Sequence, residues 1–358
     1  MPPAVPTVEI RGLGPDGTAA ELGAYLALRR LLDEELSPGD PPIGPAELAG
    51  DLHRGDDALE VGHVVAWRGD RAVGVAGTQR HLRGVRPNVI EVDVEVDPAY
   101  RRSGIGSSLL RQALGRHATS GVDSVLSWGI LSEEATAFWN GLGCPQVYLE
   151  RESRLVLADV DPALMESWIA RASERARDYT LVQWTDRCPD ELLDSYAVVR
   201  TALNDAPQEG LDIDDYGWTP ELVRRHEQRW VERGMRTLVN AAVHGPTSEV
   251  GGSTSVAVVP ERPQMAFQAD TGVLAAHRRR GLGRWLKACM WQRLRRDHPE
   301  ARTIDTQNAH SNAAMLAINV EMGFRPHLTY AAWQAPLDTV NARLAARAPH
   351  TGLSLPTR

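Results

Sequence analysis

The chain has 358 residues, enough for about two domains of ~150 residues each. Hydrophobic residues at 42% and charged residues at 24% match ordinary globular usage, which excludes general disorder. With 39 basic and 47 acidic side chains the formal charge is −8, so a nucleic-acid backbone is repelled and a cationic substrate is attracted.

Three widely separated cysteines, Cys144, Cys188 and Cys289, argue against a disulfide framework and for a reducing compartment. No stretch approaches ~18 unbroken apolar residues, so no membrane partner is expected. The opening MPPAVPTVEIRGLG lacks a basic region followed by an apolar core, and a cytoplasmic location is expected. No paired Cys/His spacing occurs, so no metal is expected.

In chain order, Val64–Trp67 and Ala72–Ala76 flank Arg68-Gly69-Asp70-Arg71 and read as a hairpin. In residues 89–96, Ile90, Val92, Val94 and Val96 share one face and Glu91, Asp93 and Glu95 the other, the period of a strand. A turn follows, Arg101-Arg102-Ser103-Gly104-Ile105-Gly106-Ser107. Ile105, Leu109, Leu110, Ala113 and Leu114 then make a helical stripe. A strand at Ser124–Trp128 and a helix ending near Gly143 close the first half. Residues 160–177 read as a charged helical connector, and Thr219-Pro220-Glu221-Leu222 as a helix start.

The order then repeats. Thr237–Val239 and Ser253–Val258 form a second hairpin. The turn recurs 177 residues on as Arg278-Arg279-Arg280-Gly281-Leu282-Gly283-Arg284. A stripe of Leu282, Trp285, Leu286, Cys289, Met290 and Leu294 follows, then a strand at Arg302–Thr306 and a helix ending near Gly323. Four segments are expected: 1–159 and 178–346 as domains of one fold, 160–177 as connector, and 347–358 as a loose tail.

A strand entering a glycine turn and then a helix leaves backbone N–H groups pointing outward, and with the helix dipole they suit a pyrophosphate. No G-K-[ST] follows, so this is no Walker loop. Leu109 and Leu286 occupy the place of a third glycine, so the dinucleotide fingerprint also fails. One such turn alone is compatible with solvated arginines on an ordinary bend. Two copies in the same context argue for a function.

The R-x-x-G-x-G pattern, preceded by V-D-P-A-Y and followed by S-S-L-L, resembles the acyl-CoA-binding motif of the GCN5-related N-acetyltransferases (GNATs). Asn312 through Asn319 to Met322-Gly323-Phe324 is similar to the family's second motif, with a weaker echo at Phe138–Cys144. The tandem arrangement is similar to that of the mycothiol synthase branch, whose C-terminal half is catalytic. The resemblance implies an α/β (α+β) fold of two tandem domains, each with a mixed, mostly antiparallel sheet flanked by helices.

It also implies acetyl-CoA, or another short acyl-CoA, as cofactor. Its pantetheine arm would lie along Val94, Glu95 and Val96, or along Thr271, Gly272 and Val273. Its pyrophosphate would sit on the amides from Arg102 to Ser107, or from Arg279 to Arg284, with Arg101 and Arg278 opening the two motifs. Asn312 would contact the arm in the second half.

Direct transfer to an amine needs a group to take its proton. Glu91 stands ten residues before Arg101, where many relatives carry their base, while the aligned Gln268 cannot serve. Asp93 and Asp270 align with each other. These carboxylates would equally suit a solvated sheet face, or merely attract a cation. The family's tyrosine acid is replaced by Trp139 and Asn319, leaving Tyr330 as the fallback. The mycothiol synthase likeness leans slightly towards the second half as the working one.

Asp205, Glu209, Asp212, Asp214 and Asp215 put five carboxylates within eleven residues, beside Tyr216 and Trp218. Such a loop can hold a basic metabolite by charge and cation–π contact, or simply be solvated. The function expected is acetyl transfer to a primary amine of a small basic metabolite (aminoglycoside, polyamine or amino-acid-like), by a monomer or homodimer. The alternatives are a non-catalytic acyl-CoA-binding protein and acylation of a peptide or protein amine.

Overall fold

The computed structural model describes residues 8–53, 55, 58–82, 87–117, 121–202, 217–309, 313–347 and 353–354. In chain order come β1 (Val8–Leu13), α1 (Ala19–Leu36), α2 (Pro45–Asp51), β2 (Leu59–Arg68), β3 (Arg71–His81) and β4 (Val89–Val96). Next are α3 (Ile105–Gly115), β5 (Ser124–Ile130), α4 (Glu133–Asn140), β6 (Gln146–Val156), α5 (Pro162–Arg175) and β7 (Tyr179–Thr185). Then follow α6 (Leu193–Ala202), α7 (Pro220–Glu232), β8 (Arg236–His244), β9 (Glu249–Val258) and β10 (Met265–Val273). The chain closes with α8 (Leu282–Asp297), β11 (Thr303–Ala309), α9 (Ala313–Met322), β12 (Arg325–Pro336), α10 (Leu337–Ala345) and β13 (Leu353–Ser354).

Local chemistry sets several boundaries. Thr18 and Glu21 form a reciprocal capping box at the start of α1. Asp161 caps α5 and Thr219 caps α7, each with proline at the first helical position, where no backbone donor is lost. The alternating run 89–96 becomes β4 as expected.

Two compact units result. One joins the chain up to Leu149 with the chain from Tyr330 onward, and the other gathers the described residues between Glu150 and Thr329. The first has strand order β13-β1-β2-β3-β4-β5-β12 and the second β6-β11-β10-β9-β8-β7. The pairings β1/β13, β4/β5 and β10/β11 are parallel, and the other printed pairings are antiparallel. Each sheet is thus the mixed, mostly antiparallel one expected, with helices packed on it.

The unit boundaries differ from the sequence division at 159 and 178. The strand beside β5 is β12, and the strand beside β11 is β6, so each unit takes that strand from the other half of the chain. The connector helix α5 is a core element, with Met165 and Trp168 buried against α8. Within the expected tail, Leu353 and Ser354 pair with β1.

In the N-terminal unit, α3 packs Ile105, Leu109 and Ala113 onto Val64, Val73 and Ala76 of the hairpin. Its other side puts Leu110 and Leu114 against Trp333, Val340 and Leu344. Each fully buried leucine contributes roughly 2 kcal/mol. That packing holds the start of α3 against the end of β4. In the C-terminal unit, Ala288, Met290 and Leu294 of α8 pack with Trp168, Leu238, Val256 and Ile304.

Candidate cofactor and acceptor site

Both turns have one geometry. The first arginine donates its Nε back to the end of the strand, Arg101 to the Val96 carbonyl at 2.9 Å and Arg278 to the Val273 carbonyl at 3.1 Å. These two arginines brace the bend. Arg101 is further held by a two-point pair with Glu35, at 2.7 and 2.5 Å. The next residues, Arg102 and Arg279, adopt φ of +62° and +65°, which costs roughly 1 kcal/mol for a non-glycine. Gly104 and Gly281, at +88° and +84°, then open α3 and α8. No side chain among the described residues caps either helix, so the first-turn N–H groups of Ile105–Ser107 and Leu282–Arg284 lack a helical partner. That arrangement suits a phosphate.

The strands open beside each turn. The last parallel pair is Glu91 with Leu126 in one unit and Gln268 with Thr306 in the other. Beyond it, Val94, Glu95 and Val96, or Thr271, Gly272 and Val273, turn an edge away from their parallel neighbour.

The surroundings then diverge. In the N-terminal unit a cavity of about 700 Å³ is lined by Asp93 to Val96, by Arg101, Arg102 and the start of α3, and by Glu134 and Phe138 of α4. Tyr25 and Arg29 of α1 cover the acidic face of β4, and Arg29 is ion-paired with Glu95. Asp93 forms no ion pair among the described residues. It lies in a recess that solvent enters, with room left by Gly77 on the adjoining strand, where a Cβ would stand 2.8 Å from the carboxylate. Its pKa is pushed up to about 7, first by desolvation and then by Glu95, against the pull of Arg29. Glu91 sits in the paired part of the strand and does not line the cavity.

In the C-terminal unit the aligned positions are occupied by the protein itself. Asp270 accepts from Arg200 at 3.2 Å, and Arg200 is 8% exposed. Gln268, aligned with Glu91, is buried and donates to Thr254 Oγ1 at 2.9 Å and to the Ser255 carbonyl at 2.7 Å. Its Oε1 accepts from Lys287 Nζ at 3.2 Å. Lys287 is 2% exposed, stands where α3 has Leu110, and is held down at about 7 by burial. Arg284 is taken by Glu321, with hydrogen bonds of 3.0 and 2.7 Å.

Several sequence expectations change here. Trp218 was expected to face a cationic substrate, but Arg200 lies over its ring, 3.6 Å from the centroid. Tyr330 was the fallback acid of the second half, yet it pairs with Ile130 in the N-terminal unit and does not line the cavity. Trp139 and Asn319 are buried, the first in the core and the second donating to Asn308 at 2.8 Å. Ser103 Oγ is committed to the Tyr100 carbonyl at 2.5 Å. Asn312, Asp205, Glu209, Asp212, Asp214, Asp215 and Tyr216 lie outside the described residues.

The sequence reading missed the helices over the acidic strands. Tyr25 and Arg29 recur 171 residues on as Tyr196 and Arg200, a Tyr-x-x-x-Arg repeat that could have been found by aligning the halves. In each unit that arginine neutralises a strand carboxylate, Glu95 in one and Asp270 in the other.

Comparison with known proteins fits this geometry. Residues 25–143 match the profile of the Acetyltransferase (GNAT) family. Among solved structures, the chain is similar to a tandem GNAT protein from the clavulanic acid biosynthesis pathway, at 26% identity over 92% of this chain and 98% of that one, with a TM-score of 0.75. It shares a fold with a GCN5-related N-acetyltransferase from Sphaerobacter thermophilus, at 15% identity over 92% and 95% of the two chains, with a TM-score of 0.59. It also shares one with a glucosamine N-acetyltransferase region of a fungal multi-domain β-N-acetylglucosaminidase, at 16% identity over 93% of this chain and 38% of that one, TM-score 0.62. A search of curated proteins finds no match. No helix among the described residues is long and apolar enough to cross a membrane. Acyl-CoA-dependent acetyl transfer is the general activity of the family these comparisons point to: residues 25–143 match its profile, and the chain as a whole is similar to a tandem GNAT protein.

Proposed function

We propose that this chain is an acetyl-CoA-dependent N-acetyltransferase for a primary amine of a small basic metabolite, and that its N-terminal unit does the work. The observation that carries the reading is the cavity of about 700 Å³ joining the uncapped start of α3 to Asp93. The sequence leaned towards the C-terminal half. The preference is reversed here because Asp270 is paired with Arg200, and Gln268 and Lys287 bond to each other where the first unit keeps Glu91.

The residues present fit acyl-CoA. The N–H groups of Ile105, Gly106 and Ser107 would hold its phosphates, and the open edge at Val94–Val96 would hold its arm. When bound, acetyl-CoA supplies an acyl group activated as a thioester. Asp93 and Glu134 draw a protonated amine into the cavity by charge. Asp93 then accepts the amine proton, because a carboxyl titrating near 7 is half ionised at neutral pH and still basic enough to take it. Arg29 engages Glu95 in an ion pair, leaving Asp93 as the carboxylate that exchanges protons. The helix α1 forms one wall of the recess.

The test is thiol release from acetyl-CoA over a panel of primary amines. Basic amines should be turned over by the native chain and not by Asp93→Asn. Turnover of none of them, or equal rates in the two proteins, would reject the reading.

A further inference from the structure

The cavity of the N-terminal unit contains a cation delivered from the far end of the chain. Arg347 follows α10, and Arg111 of α3 anchors that end by donating to the carbonyls of Leu344 at 2.8 Å and Arg347 at 3.3 Å. The Arg347 guanidinium reaches Ser107 in the first turn of α3, with Nη1 3.1 Å from Oγ. It lies 5.6 Å from the centroid of the Phe138 ring. A Cβ at Gly141 would meet Nη2 at 2.6 Å, so glycine is the residue that leaves it room.

Arg347 is half-buried, and no carboxylate among the described residues is paired with it. Burial lowers its pKa, yet an arginine stays charged. A half-buried cation without an anion is costly. A solvent-facing arginine would relieve the cost by swinging outward. This one is held at the wall of the cavity, beside N–H groups that also lack a partner among the described residues. The other unit settles the same need internally. There Arg284 occupies the position of Ser107 and is neutralised by Glu321 at 2.7 Å.

We propose that Arg347 is a ligand for a phosphate of the acyl-CoA held in the N-terminal unit, so that the segment just after α10 completes a cradle begun 240 residues earlier. This rests on the cofactor assignment above. The competing role is a brace at the C-terminal end of α4, where Gly141 is the cap.

Calorimetry on the full chain separates the two roles, using CoA and 3′-dephospho-CoA as probes and the native protein, Arg347→Gln and Arg347→Lys. A charge-assisted hydrogen bond lost from a partly buried site corresponds to about a 10- to 100-fold weaker Kd. Arg347→Gln should show that loss with an unchanged melting temperature, and Arg347→Lys should recover part of it. Equal loss for both probes assigns the contact to the diphosphate, and loss for CoA alone assigns it to the 3′-phosphate. A lowered melting temperature with native affinity would establish the brace and overturn the proposal, as would native affinity with native stability. If Arg347→Gln is too unstable to titrate, Arg347→Lys carries the test, and native affinity there for both probes overturns the proposal. If the native chain binds neither probe, the cofactor assignment itself fails.

Discussion

Two units with one topology have spent their buried polar residues differently. The N-terminal unit keeps its core apolar under the arginine–glycine bend, with Leu110 on α3, and leaves Asp93 facing a cavity. The C-terminal unit places Lys287 at the same helical position and bonds it to Gln268, and it pairs Asp270 with Arg200. The bend itself is preserved in both, down to the arginine at positive φ and the glycine that starts the helix. Under the proposed function, a preserved bend does not by itself mark the working unit. What distinguishes the units is whether the groups beyond the bend are left open or are satisfied by the protein.

The comparison breaks most sharply at the carboxylates. Asp93→Asn should lower kcat by about 10²- to 10⁴-fold with unchanged affinity for CoA, as for loss of a general base. Asp270→Asn should change kcat less than twofold. Steady-state kinetics on both, with binding measured separately, reads this directly. The reverse pattern would move the chemistry to the C-terminal unit.

The pH dependence sharpens the same point. The Asp93 carboxyl must be ionised to act, so kcat/KM should rise through about pH 7 before levelling, on top of the acceptor's own titration. The group also affects stability. Between its ordinary value near 3.8 and about 7 the folded chain holds a proton that the unfolded chain has released. Its contribution to stability therefore falls as pH rises across that window, and Asp93→Asn should remove that slope from a series of melting temperatures.

Lys287 gives the opposite sign. From about pH 7 towards 10.5 the unfolded chain carries the proton and the folded chain does not, so this group makes stability rise with pH. Lys287→Leu, which copies Leu110, should raise stability at pH 7 by about 1–3 kcal/mol and flatten that rise. Denaturant titrations at pH 7 and pH 9.5 measure both effects.

The smallest effect is expected at Arg101. As a brace its loss should cost about 1 kcal/mol of stability, with less than a threefold change in CoA affinity. A larger loss of affinity would make it a phosphate ligand instead.

Much of this fold was legible because it is written locally. The alternation over 89–96, the stripe from Ile105 and the proline after Thr219 each specify an element through neighbours a few residues away. The two bends were legible because Gly104 and Gly281 answer a backbone requirement that few other residues meet. The strand exchange was not, since only tertiary pairing decides the partners of β6 and β12. Arg200 against Trp218, Lys287 beside Gln268 and Arg347 beside Ser107 were hidden for the same reason. Each contact joins residues at least 18 positions apart, and no periodicity reports such a meeting. Asp270 read as equivalent to Asp93 by alignment, and only its ion pair separates them.

The central claim is that acyl-CoA is gripped by the N-terminal bend. Calorimetric titration of CoA into Gly104→Glu and Gly281→Glu tests it most directly, because each substitution forces a side chain and a negative charge into one bend at a φ that only glycine adopts freely. The account expects binding to vanish in Gly104→Glu and to persist with native affinity in Gly281→Glu. Binding that survives the first substitution and is lost with the second would contradict it.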